Sequence, residues 1–524
     1  MTTDGAARNW SALAAIMLAV LAVSLDVTVL TVALPTLAGA MQASESDLQW
    51  FSSAYALVLA AGMLPAGLLG DRYGRKKVML ISLTLFGAGS IACAASSSPA
   101  VFIAARALLG AAGAGVVVMA LSAVTVLIPE EQRPRAVGLW AAANFVALPL
   151  GPVLGGWLLT HYWWGWVFLM NVPVAALGLA AVAALMPESR SSERPQVDVL
   201  GTVLFCGGLA MATYGLIEAG RQGWTNSRAL LPLAAGLLVL LVFGFWERRL
   251  SRREGGQPVV DTSLLATPGF TWGVILMAAG LVAAFGAMFT LPQYFQAVLG
   301  VDPQGSGLRL LPLIAGLILG AVPADRLADR IGAKLTVALG FALMAAGMGA
   351  GSFTGAGSST TFVVAWMTVV GAGMGLTLST AGGAALREVP AERSGVASAL
   401  LQALQKLGAP FGAAILGSIL NSAYQSRLHL GQLPAPVAEV VRQSVFGGVA
   451  VARRMHSPAL LNNVRGAFVH GLDVALVVSA GIALACIILG LAFMPGRRAS
   501  TRQQAGLEPA GRASLTGPRA GASA

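Results

Sequence analysis

Charged residues are scarce in this chain. Asp, Glu, Lys and Arg make up 10% of its 524 residues, whereas 56% are hydrophobic. Soluble globular domains average about 25% charged residues, so the composition excludes an ordinary soluble protein. Uncharged stretches long enough to cross a bilayer recur along the whole chain. The sequence therefore predicts an all-α polytopic membrane protein.

Cysteines are few, and the motifs of several enzyme classes are missing. Cys93, Cys206 and Cys486 lie in apolar runs, which is typical of small core residues rather than of a disulfide or metal framework. The sequence contains no G-x-x-x-x-G-K-[ST] motif for a nucleotide, and no zinc or nucleophile-elbow motif. We therefore expect no enzyme, no metal site and no ATP coupling.

Fourteen apolar runs are long enough to form membrane-spanning helices. If the N-terminus is cytoplasmic, basic residues such as Arg75, Arg249 and Arg330 collect in the inner segments, as the positive-inside rule requires. This distribution explains the net charge of +11 without nucleic acid. It predicts 14 transmembrane helices with both the N and C termini cytoplasmic. The runs cover residues 11–37, 49–70, 78–96, 101–127, 134–160, 166–186, 199–219, 229–246, 269–297, 306–325, 333–353, 360–385, 394–421 and 470–494.

Three short motifs recur about 260 residues apart. The matched positions are Asp71 with Asp329, Gly115 with Gly375 and Pro129 with Pro390. Three matches at one spacing predict two six-helix halves, residues 9–187 and 263–495, with two linker helices inserted in residues 196–262. Parallel halves of this kind hold a binding site between them, near the middle of the membrane, in transporters.

Two segments lie outside the predicted membrane helices. Residues 422–468 form a long connection that contains an amphipathic run, so we expect an outer loop with a short helix or hairpin. Residues 496–524 are rich in Gly, Ala, Ser and Arg, and we expect a disordered cytoplasmic tail.

Asp26 is the only ionisable residue between Arg8 and Glu45, and it lies well inside the first apolar run. A carboxylate at the centre of a membrane helix costs about 2.5–3.5 kcal/mol on insertion scales. Such a group is paired, protonated or exposed to a wet cavity, and each case indicates function. Arg106 and Lys406 are the corresponding deep cations, in the fourth and thirteenth runs.

The loop of residues 67–77, which we call the latch loop, concentrates charge in a tight turn between two helices. We predict that it forms a latch that breaks when the two halves rock, together with Asp329 of the second half. Charge that merely sets the topology is the alternative. The residues concerned are Gly67, Asp71, Arg72, Gly74, Arg75 and Lys76.

These motifs resemble those of the major facilitator superfamily. The latch loop is similar to the family's G-x-L-a-D-r-x-G-r-K sequence, and residues 25–35 resemble the L-D-x-T-x-V-N-V-A-L-P sequence of its fourteen-helix drug:proton antiporters, with Thr31 in place of Asn. A glycine ladder with a Gly-Pro pair in the fifth run is similar to the antiporter motif, although packing glycines are the alternative. Its members are Gly138, Gly151, Pro152, Gly155 and Gly156.

The resemblance covers nearly the whole chain and implies roles for the two deep charges of the first half. It implies that Asp26 takes part in proton coupling or substrate binding. Arg106 and Gly110 match the family's R-x-x-Q-G motif, in which Leu109 here replaces Gln. Arg106 would help Asp26 to release its proton; an arginine bonded only to backbone carbonyls is the alternative.

Aromatic and polar residues near the predicted midplane are candidates for substrate binding, because aromatic faces attract cations and planar compounds. For each candidate, packing between helices is the alternative. Lys406 is predicted to bind an anionic or carbonyl group, or to exchange protons, if it lies in a cavity. With Asp26 as the only deep acid, we expect neutral or singly charged substrates rather than dications. The candidates are Tyr55, Trp140, Asn144, Phe145, Phe289, Gln293, Tyr294, Gln402 and Lys406.

The resemblance therefore predicts a multi-pass protein of the cell membrane that exports small amphipathic drugs or toxic compounds by alternating access. The proton gradient would drive it without a cofactor, and we expect a monomer in lipid with no nucleic-acid partner. An exporter of one endogenous metabolite or antibiotic is the main alternative. A lipid-handling membrane protein on the same fold is the other.

Overall fold

The computed structural model describes the chain except for residues 1–2, 130–131, 191–197, 254–266, 388, 390–399, 403, 432 and 495–524. All regular elements of the described residues are helices. Twelve of the described helices are long and apolar enough to cross a bilayer, and a bent pair, Glu45–Met63 with Pro65–Tyr73, brings the number to thirteen. The predicted all-α membrane fold is confirmed at this level. The predicted cytoplasmic tail lies outside the described residues.

The first seven helices pack around one hydrophobic cluster, and we call them the N-terminal bundle. Phe102 is fully buried in it, with its ring centre 4.5 Å from that of Phe51 and 5.4 Å from that of Phe168. The helices are α1 (Thr3–Met41), α2 (Glu45–Tyr73), α3 (Arg75–Ala94), α4 (Pro99–Leu127), α5 (Arg133–His161), α6 (Trp166–Leu169) and α7 (Asn171–Leu185).

Two further helices, α8 (Val199–Gln222) and α9 (Ser227–Ser251), pack against each other. Helix α8 also contacts α2 of the N-terminal bundle. On its other side, Ser418 Oγ donates a hydrogen bond to Leu216 O at 2.6 Å, and Asn421 Nδ2 donates to Gly220 O at 3.1 Å. Helix α8 therefore contacts both the N-terminal bundle and the helix that contains Ser418 and Asn421.

The remaining helices surround a second hydrophobic cluster, and we call them the C-terminal bundle. Phe270, Phe341 and Phe468 are among its fully buried side chains. The elements are α10 (Pro268–Gln293) with a π-helical turn (Tyr294–Val298), α11 (Pro303–Leu308), α12 (Leu311–Ala321), α13 (Ala324–Ile331), α14 (Ala333–Gly351), α15 (Thr360–Arg387), α16 (Gly408–Arg427), α17 (Ala435–Gln443), α18 (Val445–Arg454) and α19 (Pro458–Phe493).

The predicted runs 166–186 and 306–325 correspond to the candidate membrane spans Trp166–Leu185 and Pro303–Ala321, although turns divide the first into α6 and α7 and separate α11, α12 and α13 in the second. One expectation about the helices needs correction. Residues 422–468 are mostly helical rather than a loop: α16 continues to Arg427, α17 and α18 follow, and α19 already begins at Pro458. Backbone hydrogen bonds within a helix do not require apolar side chains, so hydropathy underestimates these helices.

The long helices alternate in direction, which gives the assembly two distinct ends. We call the end with the latch loop and the C-termini of α13 and α15 the basic end. The end with the turn between α1 and α2, and with α17 and α18, is the opposite end. Helix α2 begins at the opposite end with a capping box, in which Asp47 N donates to Ser44 Oγ at 3.2 Å and Ser44 N donates to Asp47 Oδ2 at 2.9 Å.

Candidate functional site

Asp26 and Arg106 form a buried ion pair between α1 and α4. Arg106 Nη1 donates to Asp26 Oδ2, and Arg106 Nε donates to Phe51 O at 3.1 Å. Asn171 Nδ2 donates to Asp26 Oδ1 at 3.3 Å. Asp26 is 2% exposed and Arg106 is 1% exposed. A deep carboxylate can be paired, protonated or exposed to a wet cavity, and in this conformation Asp26 is paired with Arg106.

Tyr55 connects this ion pair to the space between the bundles. Its ring centre lies 4.3 Å from Arg106 Cζ, and its hydroxyl donates to Val23 O at 3.0 Å. Gly110 makes this approach of α2 to α4 possible, because a Cβ there would overlap Tyr55 O. A cation held over an aromatic ring away from water gains about 2 kcal/mol.

A cavity of about 320 Å³ lies between the two bundles. It is lined by α1, α2 and α5 on one side and by α10, α12, α15 and the residues around the start of α16 on the other. Among the described residues, no Asp or Glu lines it, and its ionisable lining residues are Tyr55 and Lys406. Its polar lining consists of Ser24, Thr28, Tyr55, Asn144, Ser379, Gln405 and Lys406.

Three predicted substrate residues line this cavity, namely Tyr55, Asn144 and Lys406. Asn144 Oδ1 accepts a hydrogen bond from Ser24 Oγ at 2.8 Å. Gln405 lines the cavity and the predicted Gln402 does not; the two lie on a similar helix face but differ by about one turn in their position along the axis.

The other predicted substrate residues lie elsewhere. Phe289 lines a small adjoining pocket together with Arg106. Tyr294 is buried in the C-terminal bundle, where its hydroxyl donates to Gly355 O at 2.8 Å, and it does not line the cavity. Trp140 packs against the hydrophobic cluster of the N-terminal bundle. Phe145 lies outside the residues whose side chains are described.

Gln293 is also absent from the cavity lining, because it joins the two bundles near the opposite end. Its Nε2 donates to Glu45 Oε1 at 3.1 Å, and Glu45 is 3% exposed. Further hydrogen bonds between the bundles, at this end and toward the middle, link Ser418 Oγ to Gln49 Oε1, Ser53 Oγ to Pro410 O, Gln296 Nε2 to Val32 O and Gln304 N to Thr160 Oγ1.

No hydrogen bond between the bundles joins described residues at the basic end. The ion pairs there stay within one bundle: Arg75 Nη2 lies 2.9 Å from Asp71 Oδ1, and Arg387 Nη2 lies 3.8 Å from Asp329 Oδ1. Lys76 Nζ donates to Ala183 O at 2.7 Å. Among the described residues, the hydrogen bonds that join the two bundles thus lie at the opposite end and toward the middle.

The latch loop reverses direction at Gly74, whose φ is +116°. Glu188 lies directly beside it, and Lys76 N donates to Glu188 Oε1 at 3.1 Å. The Arg72 guanidinium lies 5.5 Å from the Tyr73 ring centre, and Gly67 faces Val118 of α4. The loop therefore docks onto the end of its own bundle in this conformation.

The glycine ladder of α5 contacts both α1 and the C-terminal bundle. A Cβ on Gly155 would lie 2.6 Å from Val29 Cγ1, and one on Gly156 would lie 2.6 Å from Pro303 O. Gly151 packs as closely on Thr28, and Pro152 O lies against Gly307 of α11. Gly138 lies outside the residues whose side chains are described. The ladder thus forms part of the contact between the bundles.

Sequence reasoning missed three residues. Glu45 follows a helix N-cap and so reads as an ordinary capping-turn acid. Asn171 carried a signal, since it is a polar residue just after an aromatic cluster in an apolar run. Gln405 directly precedes Lys406 and was not among the predicted substrate residues.

Comparison with known proteins places this fold and cavity in a family. The sequence matches the Major Facilitator Superfamily over residues 16–413. It is 29% identical over 496 residues to the "Tetracenomycin C resistance and export protein" of Streptomyces glaucescens, covering 92% of this chain and 91% of the relative. It is 30% identical over 504 residues to the "Multidrug efflux pump LfrA" of Mycolicibacterium smegmatis, covering 94% of this chain and 98% of the relative.

The fold is also similar to a crystal structure of a bacterial homolog of the human lysosomal transporter Spinster in an inward-facing, unoccupied conformation. The TM-score is 0.65 at 17% sequence identity, over 93% of this chain and 97% of the other. Together with the helices that can span a membrane, these matches identify a multi-pass membrane transporter rather than an enzyme. The chain belongs to the major facilitator superfamily.

Proposed function

We propose that the protein is a proton-driven exporter of small amphipathic drugs or toxic compounds in the cell membrane. The observation that carries this proposal is the buried Asp26–Arg106 ion pair, which Tyr55 connects to a cavity between two bundles. The two multidrug and antibiotic exporters named above are similar over nearly the full length of this chain. We propose that the proton gradient alone supplies the energy and that no cofactor takes part.

The membrane topology that we propose has fourteen spans. The 29-residue helix α5 would be the fourteenth, in addition to the thirteen candidate spans. Residues 9–187 and 263–495 would form the two six-helix halves, with the linker pair in 196–262. The basic end would then face the cytoplasm together with both termini, and the protein would work as a monomer in lipid.

Protonation of Asp26 would couple proton entry to export. An ionised Asp26 is neutralised by Arg106, whereas a protonated Asp26 would leave a buried guanidinium without its counter-ion. Leaving one partner of a buried pair alone costs about 3–5 kcal/mol, enough to shift the balance between two conformations of the bundles. In this cycle the conformation described here, closed at the opposite end, would have released its proton to the cytoplasm.

The latch loop and the glycine ladder would serve the rocking movement between conformations. Latch-loop charges that now bond within the N-terminal bundle would be free to contact the C-terminal bundle when the basic end closes. The ladder on α5 would allow α11 to slide or separate at the opposite end. The contacts between them are those of Gly156 with Pro303 O and of Gly307 with Pro152 O, and each involves a glycine and a backbone carbonyl.

Export of a single natural product is a second candidate function. The similarity to a relative named for tetracenomycin C export supports it. A cavity of about 320 Å³ suits one small aromatic compound as well as a range of drugs. A transport screen of structurally unrelated compounds separates a broad exporter from a dedicated one.

Purified protein in proteoliposomes tests the proposed function. With a pH-sensitive dye outside, adding an amphipathic aromatic substrate should release protons, and an imposed pH gradient should drive substrate accumulation. A protonophore should abolish the accumulation. Equilibration of the substrate down its own concentration gradient, with no proton movement, would refute proton-driven export.

A further inference from the structure

The charges around the cavity do not suit a cationic substrate. Lys406 lines it, whereas no Asp or Glu does among the described residues. Lys406 lies just before α16, on the C-terminal side of the cavity, and it forms no salt bridge with any described residue. Its side-chain nitrogen therefore faces the cavity without a carboxylate partner among the described residues.

Two buried acids of the N-terminal bundle, Asp26 and Glu45, already have partners. Asp26 is bonded to Arg106 and Asn171, and Glu45 accepts a hydrogen bond from Gln293 toward the opposite end. Neither carboxylate lines the cavity. A positively charged substrate would therefore meet a like charge at Lys406 without a compensating acid in the described lining.

The rest of the lining suits an apolar body that carries one polar group. The apolar wall is formed by residues of both bundles, among them Leu59, Leu148, Leu281, Phe285, Leu317 and Met374. The polar residues Gln405, Ser379 and Asn144 lie in the same lining as Lys406. Charge-assisted hydrogen bonds to a lysine are stronger than neutral ones.

We infer that the cavity prefers amphipathic organic anions, with Lys406 binding a carboxylate or phenolate and the apolar wall binding the aromatic body. This inference rests on the proposed function, because it names the substrate class of the same site. From the sequence we expect neutral or singly charged substrates rather than dications. This inference goes further, because it ranks anions above neutral compounds and cations of the same shape.

The test uses three fluorescent probes of nearly equal shape: anthracene-9-carboxylate, its methyl ester and 9-anthracenylmethylammonium. Their equilibrium binding to the purified full-length protein is measured by fluorescence anisotropy. The wild type should bind the carboxylate about 10- to 100-fold more tightly than the ammonium. Lys406→Gln should weaken carboxylate binding by a similar factor and leave the ester within about threefold. Lys406→Arg, which keeps the charge, should retain the preference.

Three results would overturn the inference: equal binding of carboxylate and ammonium by the wild type, unchanged carboxylate affinity in Lys406→Gln, or loss of all three probes in both variants. The last result would assign Lys406 a purely structural role. Equilibrium binding needs no gradient, so these outcomes are independent of proton coupling. If the charge preference holds but a pH gradient drives no accumulation of any probe, the proposed function fails and the binding preference stands.

Discussion

The Arg106 guanidinium lies 4.3 Å from the centre of the Tyr55 ring, and the same ring lines the cavity. A substrate that touches Tyr55 can therefore alter the surroundings of the Asp26–Arg106 pair without touching either charge. This places the proposed proton site beside the cavity rather than inside it.

Substituting Tyr55 tests this connection. Tyr55→Leu removes the aromatic face over Arg106, so we expect a loss of about 1–2 kcal/mol in the free energy of unfolding and much less proton release on substrate addition. Tyr55→Phe keeps the ring and loses only the hydrogen bond to Val23 O, so it should retain most of the proton release. If both variants release protons as the wild type does, the ring does not couple the two sites.

Breaking the buried pair should destabilise the protein far more than breaking an exposed one. Arg106→Met leaves the Asp26 carboxylate buried without its cation, which costs about 3–5 kcal/mol. Arg75→Met is the matched control, because the Asp71–Arg75 pair is partly exposed and such pairs contribute about 0–1 kcal/mol. Thermal unfolding in detergent measures both. Equal losses would mean that the buried pair contributes no special stability.

The contact between Gly307 and Pro152 O should control closure of the opposite end. A Cβ at Gly307 would overlap that carbonyl, so Gly307→Ala should separate α11 from α5 and increase the fraction of molecules open there. Gly349→Ala is the control, since a Cβ at that helical glycine meets nothing within 4 Å. Spin labels at His161 and Val440, after replacement of the native cysteines, report the distance between the bundles. An unchanged distance distribution in Gly307→Ala would argue against this contact as a closing element.

Gly74 and Gly332 occupy matching positions in the repeated motif, following Asp71 and Asp329 respectively, and substitutions at the two sites separate backbone strain from crowding. Gly74 and Gly332 both have positive φ, +116° and +92°, with extended ψ, 129° and 148°, so alanine is strained at either by about 1–3 kcal/mol. At Gly74 a Cβ would also lie 2.5 Å from Glu188 Oε1, whereas at Gly332 it meets nothing within 4 Å. Gly74→Ala should therefore lower the midpoint of thermal unfolding more than Gly332→Ala does. Equal losses would show that Glu188 moves away freely, and a larger loss in Gly332→Ala would contradict the crowding at Gly74.

The sequence predicts the broad plan well, because hydropathy and the internal repeat report it directly. The matched turns at Gly74 and Gly332 adopt the same unusual backbone conformation, as expected of repeated units. The contact between Asp26 and Arg106 is predicted by the family resemblance alone, because their spacing in the sequence does not show that α1 and α4 lie side by side.

Finer features depend on how helices rotate against each other. Gln405 rather than Gln402 lines the cavity. The sequence places both residues on one helix but does not show which of them faces the cavity, because that depends on the neighbouring helices. Gln293 was predicted to bind substrate, but its side chain donates a hydrogen bond to Glu45 and so joins the two bundles. Hydropathy does not predict the early start of α19 at Pro458, because Asn462, Asn463 and Arg465 interrupt the apolar run.

The measurement that tests the account most directly is gradient-driven transport by Asp26→Asn in proteoliposomes. Asparagine keeps the shape of the side chain and can still accept a hydrogen bond from Arg106, but it cannot bind and release a proton. We expect equilibrium substrate binding to persist while accumulation driven by a pH gradient, and proton release on substrate addition, are lost. Full gradient-driven accumulation by Asp26→Asn would contradict the assignment of Asp26 as the proton site.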